Sequence, residues 1–240
     1  MKLAFISDIH GNAAALEAVL EDIGSRDVEE IYVLGDLCYR GPEPKRSLER
    51  IRALESPVIR GNADEWVVRG VRQGEVPEHA VDLMNLERQW TLSRLDPDDL
   101  EYLAGLPSEL QLNREGVGIR AFHATPDSLF EIVPPGAGDE ELQTKLMNSG
   151  EADVYIYAHI HKPYIRYLGG KVIANTGSVG LPFDGLPEAS YLVLEVERGR
   201  AAATIRRVPY DIEAVIRQYE EGGYPNTETL ARILRNGRYS

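Results

Sequence analysis

The chain has 240 residues, 43% of them hydrophobic and 27% charged, the composition of an ordinary globular protein with room for one substantial core and an insertion. Asp and Glu outnumber Lys and Arg by 39 to 26, and a net charge of −13 repels polyanions, which disfavours sequence-independent nucleic-acid binding. No apolar run approaches the length that crosses a bilayer, and a single cysteine, Cys38, excludes an intramolecular disulfide.

The opening MKLAFISD reads as a strand over 2–6 and not as a leader peptide, so the chain is expected in the cytoplasm. Apolar residues then recur at helical spacing from Asn12 to Ile23. Ile31 to Leu34 reads as a strand ending at Gly35-Asp36, 44–54 as a helix, and Pro57 to Ile59 as a third short strand ending at Gly61-Asn62. From about 65 to 105 the pattern is helical and polar, with Leu83, Leu86, Trp90 and Leu95 as the packing positions of a helical insertion. Strands resume at 109–112 and 117–122, a helix at 138–148 and a buried strand at 154–157. Hairpins turn at Gly169-Gly170 and around Arg198-Gly199-Arg200, and two helices, at about 211–221 and 226–236, follow. Parallel strands dominate the first part and hairpins the second, which predicts a mixed two-sheet α/β core within a single domain of 240 residues.

Chemistry gathers at the expected strand ends. Asp8-Ile9-His10 follows the first strand, Asp36 ends the second, Asn62 the third, His123 the strand from 117, and His159-Ile160-His161 the strand from 154. Alternation along an extended chain would point Asp8 and His10 to one side, and His159 and His161 likewise. Mixed oxygen and imidazole donors suit divalent Mn, Fe, Co or Zn, and seven ligands are too many for one catalytic ion but suit two. Asp-x-His or His-x-His alone recurs by chance; five such elements in order, each at a strand terminus, form a specific signal.

These five blocks resemble those of the calcineurin-like metallophosphoesterases, over residues 3–180, and Asn175-Thr176-Gly177-Ser178-Val179-Gly180 is similar to a segment of the small prokaryotic members. The resemblance implies a four-layer α/β/β/α sandwich. It implies one ion held by Asp8, His10, Asp36 and His161, and a second held by Asp36, Asn62, His123 and His159, with manganese favoured over Fe, Zn, Co or Ni. It assigns catalysis to Asp36, Asn62 and His123 around a metal-bridging hydroxide that attacks the phosphorus.

Ala63 stands where the family usually carries a histidine that contacts phosphate and protonates the leaving group. An alanine gives no proton and leaves room for a second ester substituent, so hydrolysis of small phosphodiesters leads, ahead of phosphomonoesters, dinucleoside polyphosphates or a metal-binding scaffold with little turnover. Asn62, Arg40 and Tyr39, the last two in the loop after Asp36, are the candidate substrate contacts, a guanidinium matching phosphate oxygens well, although a surface salt bridge fits Arg40 equally. Ser7 and Asn12 are candidates to support ligands from behind, with a helix cap the other role for Asn12. The expected partner is a small phosphorylated substrate such as a nucleotide, with no membrane; self-association into a homo-oligomer is compatible with the chain. His79, in the insertion, reads as solvated, and both tryptophans as packing residues.

Overall fold

Short apolar strands must hide both faces, and that requirement sets the architecture. The computed structural model describes residues 1–148 and 150–239. It runs from strand β1 (Lys2–Ile6) through helix α1 (Ala13–Gly24) and strand β2 (Glu30–Val33) to helix α2 (Pro44–Arg52). Helices α3 (Asn62–Arg69), α4 (Glu78–Leu92) and α5 (Pro97–Gly105) come next. Strands β3 (Glu109–Arg114) and β4 (Val117–Phe122), helix α6 (Asp139–Leu146), and strands β5 (Val154–Tyr157), β6 (Tyr164–Leu168) and β7 (Lys171–Asn175) follow. The hairpin of β8 (Ala189–Glu197) and β9 (Arg200–Val208) leads to helices α7 (Ile212–Glu221) and α8 (Thr227–Asn236).

Two mixed sheets result, in the orders β2-β1-β8-β9 and β3-β4-β5-β7-β6. In the first, β1 runs parallel to β2 and antiparallel to β8, pairing Lys2 with Glu195. In the second, β4, β5 and β7 are parallel, with a hairpin strand on each edge. The parallel and hairpin parts therefore interleave: β2 covers one edge of β1, and β8 returns to cover the other, whose N–H and C=O groups would otherwise stay unpaired.

Along β1, Leu3, Ala4, Phe5 and Ile6 are all buried, because the strand is covered on both faces. Leu3 and Phe5 enter the core between the sheets with Ile119, Ile156, Ala174 and Leu192. Ala4 and Ile6 pack with Leu16 and Val19 of α1 and Leu48 and Ile51 of α2. Beyond the second sheet, Phe122, Tyr155 and Ile173 meet Leu142 and Leu146 of α6. Helix, sheet, sheet, helix is the four-layer sandwich expected.

Three local expectations need correction. Pro57 to Ile59 forms no regular strand; one parallel bridge, Val33 with Val58, lays it along β2, since three residues headed by a proline are too few for a ladder. Helix α3 starts at Asn62, three residues earlier than read, so a candidate site residue heads it. Leu83 and Leu86 are exposed at 38% and 49%, while α4 buries Glu87 and Thr91. The reason is that Glu87 finds its partners inside the protein, Arg40 (3.3 Å) and Asn226 (2.9 Å), which turns the apolar stripe outward. The tryptophans do pack, Trp66 between Tyr39 and Phe130 and Trp90 against Tyr224, and His79 is exposed. Among the described residues no helix is long and apolar enough to cross a membrane.

Truncating the core between the sheets tests this packing. Leu192→Ala, at a fully buried position on β8, is expected to lower unfolding stability by about 2–5 kcal/mol, read as a shift in the urea midpoint with an unchanged slope.

Candidate metal centre

Parallel strands deliver their following loops to one end of a sheet. Here the loops run side by side. The Asp8 N–H donates to the Gly35 carbonyl (3.0 Å) and the His10 N–H to the Asp36 carbonyl (2.9 Å). In the second sheet the Ala158 N–H donates to the His123 carbonyl (2.8 Å) and the Thr176 N–H to Tyr157 (3.0 Å). The segment after β7 then crosses between sheets: Val179 N–H reaches the Ser7 carbonyl and Gly180 N–H that of Asp8.

The loops are strained where the chemistry lies. Asp8 (φ 52°), His10 (48°), Asp36 (57°), His159 (68°) and His161 (55°) all occupy the left-handed region, at a cost on the order of 1–3 kcal/mol each. This corrects the alternation argument: β1 ends at Ile6 and β5 at Tyr157, so a turn, not a pleat, brings each pair together. Close approach adds a demand for glycine at Gly61, where a Cβ would lie 2.1 Å from Asp36 Oδ1.

All seven predicted side chains meet. His161 Nε2 is 3.2 Å from Asp8 Oδ1 and 3.1 Å from His10 Nε2, which lies 3.7 Å from Asp36 Oδ2. On the other side His123 Nε2 is 3.4 Å from Asp36 Oδ1 and 2.8 Å from Asn62 Oδ1, and His159 Nδ1 is 2.7 Å from the same amide oxygen. Donor atoms of Asp8, His10, Asp36 and His161 lie within 4.8 Å of one another.

Tautomers follow from the outer nitrogens. A carbonyl can only accept, so Nδ1 carries hydrogen in His10 (to Tyr39 O, 2.9 Å), His161 (to Leu181 O, 2.5 Å) and His123 (to Leu34 O, 2.7 Å). That leaves Nε2 as the inward-facing atom of each ring, aimed at the other imidazoles and at carboxylate oxygens. Asp8 Oδ1 is buried with no hydrogen-bond partner. Converging ring nitrogens and carboxylate oxygens fit a cation, and oxygen-plus-imidazole sets suit divalent transition metals.

Protonation bears on the same point. Burial opposes ionised carboxylates, but imidazole neighbours outweigh it, His161 at Asp8 and His123 at Asp36, and both stay below the ordinary range. Burial, reinforced by neighbouring imidazoles, pushes His10 and His159 down to about 4, so both are neutral at pH 7. At His123 burial is overcome by the Asp36 and Asp8 carboxylates, which push it up to about 10.

The supporting groups are only partly legible in the sequence. Ser7 Oγ–H donates to Asp8 Oδ2 (2.8 Å), Ser178 Oγ–H to the Asp8 carbonyl (2.8 Å), and Thr176 meets Ser7 at 2.6 Å. Asn12 both accepts from the Ala15 N–H at the start of α1 and donates to the Gly180 carbonyl. Asp64 escaped the reading, although its acid-at-third-position spacing after Gly61 is a helix-start signal. Its carboxylate accepts the N–H groups of Asp36, Leu37 and Gly61 at 2.8–2.9 Å, clamping two ligand loops together. Burial, then the Asp36 charge, raises its pKa to about 7.

Three expectations fail. Tyr39 is fully buried and its hydroxyl donates to the Met84 carbonyl (2.7 Å), so the ring faces α4 and cannot reach a substrate. Arg40 is held by the buried Glu87 with only 12% of its side chain exposed, in place of either a phosphate contact or a surface ion pair. Ala63 is buried at 1% within the helix-side core, so the space expected there for a second ester substituent is not open.

Known proteins resemble this chain in sequence and fold. An uncharacterized protein of Methanocaldococcus jannaschii is 30% identical over 98% of both chains. The phosphodiesterase YfcE of Escherichia coli is 28% identical over 81% of this chain and 88% of its own. A metallophosphoesterase structure from Sphaerobacter thermophilus matches with a TM-score of 0.80 and 27% identity, covering 99% of each chain. A sequence model of the calcineurin-like phosphoesterase superfamily domain matches residues 1–199. That match runs from β1 through β8 and encloses every loop of the centre, and the chain belongs to the calcineurin-like phosphoesterase superfamily.

Proposed function

We propose that this chain is a dinuclear metal-dependent phosphodiesterase acting on small phosphate diesters. The observation that carries the proposal is the convergence of ring nitrogens and carboxylate oxygens, His10 to His161 at 3.1 Å and His161 to Asp8 at 3.2 Å. Asp8, His10, Asp36 and His161 would hold one cation, and Asp36, Asn62, His123 and His159 the other. Two divalent ions, manganese first among the candidates, would supply Lewis acidity and a water acidified toward neutral pH.

The chain's own groups do the rest. Asp36 presents one oxygen to each donor set and is fixed by the Ala63 N–H (2.7 Å to Oδ1). Asn62 donates a neutral oxygen, so two carboxylates face two dications and the centre is positive by about two charges, which attracts a phosphate anion into an acidic protein. His10, His123 and His161 are locked by carbonyls and keep their aim without reorganisation. Position 63 supplies no acid for an alkoxide leaving group, which favours diesters with competent leaving groups over monoesters. The phosphodiesterase designation of the E. coli relative supports the same preference. The single, buried Cys38, which has no disulfide partner, is compatible with a reducing compartment such as the cytoplasm.

Purified protein is expected to bind two equivalents of Mn²⁺ and to hydrolyse bis(p-nitrophenyl) phosphate, with activity lost in EDTA and restored by Mn²⁺. Asp36→Ala should lower kcat/KM by more than about 100-fold, the upper end found for groups that merely support metal ligands, with the far-ultraviolet spectrum unchanged. Two bound ions without turnover would leave only a metal-binding scaffold.

Metal binding should also respond to pH. His123, at about 10, carries a proton at neutral pH that an incoming cation must displace, whereas His10 and His159, at about 4, are already neutral. Apparent affinity for the ion at His123 should therefore rise about tenfold per unit between about pH 7.5 and 9. Calorimetry in buffers of different ionisation enthalpy should show close to one proton released there; a pH-independent affinity would remove His123 from the donor set.

A further inference from the structure

The open space at the centre lies beside His159. A groove of about 760 Å³ begins at this imidazole and continues between the 132–135 loop, the Phe183 segment and the C-terminal Arg238-Tyr239. Its size is that of a small-ligand site. Phe183 stacks on His161 at 4.2 Å and 17°, and Tyr239 meets Phe183 edge-on at 5.4 Å, so an aromatic wall grows directly out of the metal ligands. Ile132, 69% exposed, faces the same space.

Charge separates this groove from an ordinary apolar cleft. Lys162 and Arg238 line it, and among the described residues neither has a carboxylate within ion-pairing distance. The one acid on the lining, Asp184, is already paired with Arg207. Two cations without an ion-pair partner among the described residues, and flat aromatic faces, contiguous with a centre that attracts phosphate, describe the complement of a nucleotide. Base–aromatic stacking needs only a π-face, and the cations match phosphate oxygens.

We infer that this groove seats the nucleoside of a nucleotide diester against Phe183 and Tyr239, with Lys162 and Arg238 beside its phosphate and the reacting phosphorus at the centre. The assignment rests on the phosphodiesterase reading and adds the class of substituent that the enzyme retains.

The test compares two diesters that share a leaving group, thymidine 5′-(p-nitrophenyl phosphate) and methyl p-nitrophenyl phosphate, with the Mn²⁺-loaded full chain. Thymidine is expected to raise kcat/KM at least about tenfold over methyl, the range that stacking of one base supports. Tyr239→Ala, at a half-exposed position whose loss does not open the core, should shrink that ratio below about threefold. A wild-type ratio near one overturns the groove and leaves the phosphodiesterase standing. Failure to cleave either diester with both ions bound overturns the phosphodiesterase, and the groove is then decided by binding. In calorimetry AMP should bind about tenfold tighter than inorganic phosphate, and Tyr239→Ala should erase most of that advantage. Equal affinities, or phenyl phosphate binding as tightly as AMP, would overturn the nucleoside assignment.

Discussion

Everything at the centre depends on ligand atoms forced to face one another. Imidazole nitrogens and carboxylate oxygens normally turn toward hydrogens, yet here Nε2 of His10 and His161 approach to 3.1 Å and Asp8 Oδ1 lies buried without a partner. Such an arrangement is unfavourable unless positive charge sits among the lone pairs. The fold enforces it by occupying the outer edge of each ring. Carbonyls at Leu34, Tyr39 and Leu181 take the Nδ1 hydrogens of three histidines, leaving one orientation for each ring. Left-handed backbone at five of the seven residues is the conformational cost of the same geometry.

The region around α4 serves the centre from a distance. Tyr39 gives its carbonyl to His10 while its hydroxyl reaches the α4 backbone, and Arg40 is tied to Glu87 and, through its own carbonyl, to the Tyr219 hydroxyl of α7 (2.6 Å). The loop after Asp36 is thus fastened at one end to the ligands and at the other to two helices. A buried charge pair of this kind adds little net stability but resists rearrangement, because breaking it strands a charge.

Strand ends, hairpins and the seven converging side chains were legible because each leaves a local mark: an apolar run, a Gly-Gly or Arg-Gly-Arg turn, an Asp-x-His. What was illegible lay in partners distant in sequence. Glu87 is one acid among many on a polar helix, and only the position of Arg40 makes it a buried residue. Tyr39 looked available because it follows Asp36 closely; its direction is set by Trp66 and Met84, which no periodicity reveals. The Asp-x-His reading reached the right pairs through the wrong geometry, since same-side display by a pleat and by a left-handed turn share one spacing. The groove beside His159 draws on residues 132 to 239 and has no signature in any single segment.

The strand order of the first sheet has a consequence for biosynthesis. Because β8 supplies the second neighbour of β1, the strand that leads into Asp8 and His10 has one edge without its partner until residues near 195 have been made. The emerging chain therefore has no partner for that second edge through most of its own translation, and contacts between segments so distant in sequence are slow to form. The sheet beside Asp8 and His10 closes only when this late strand is available.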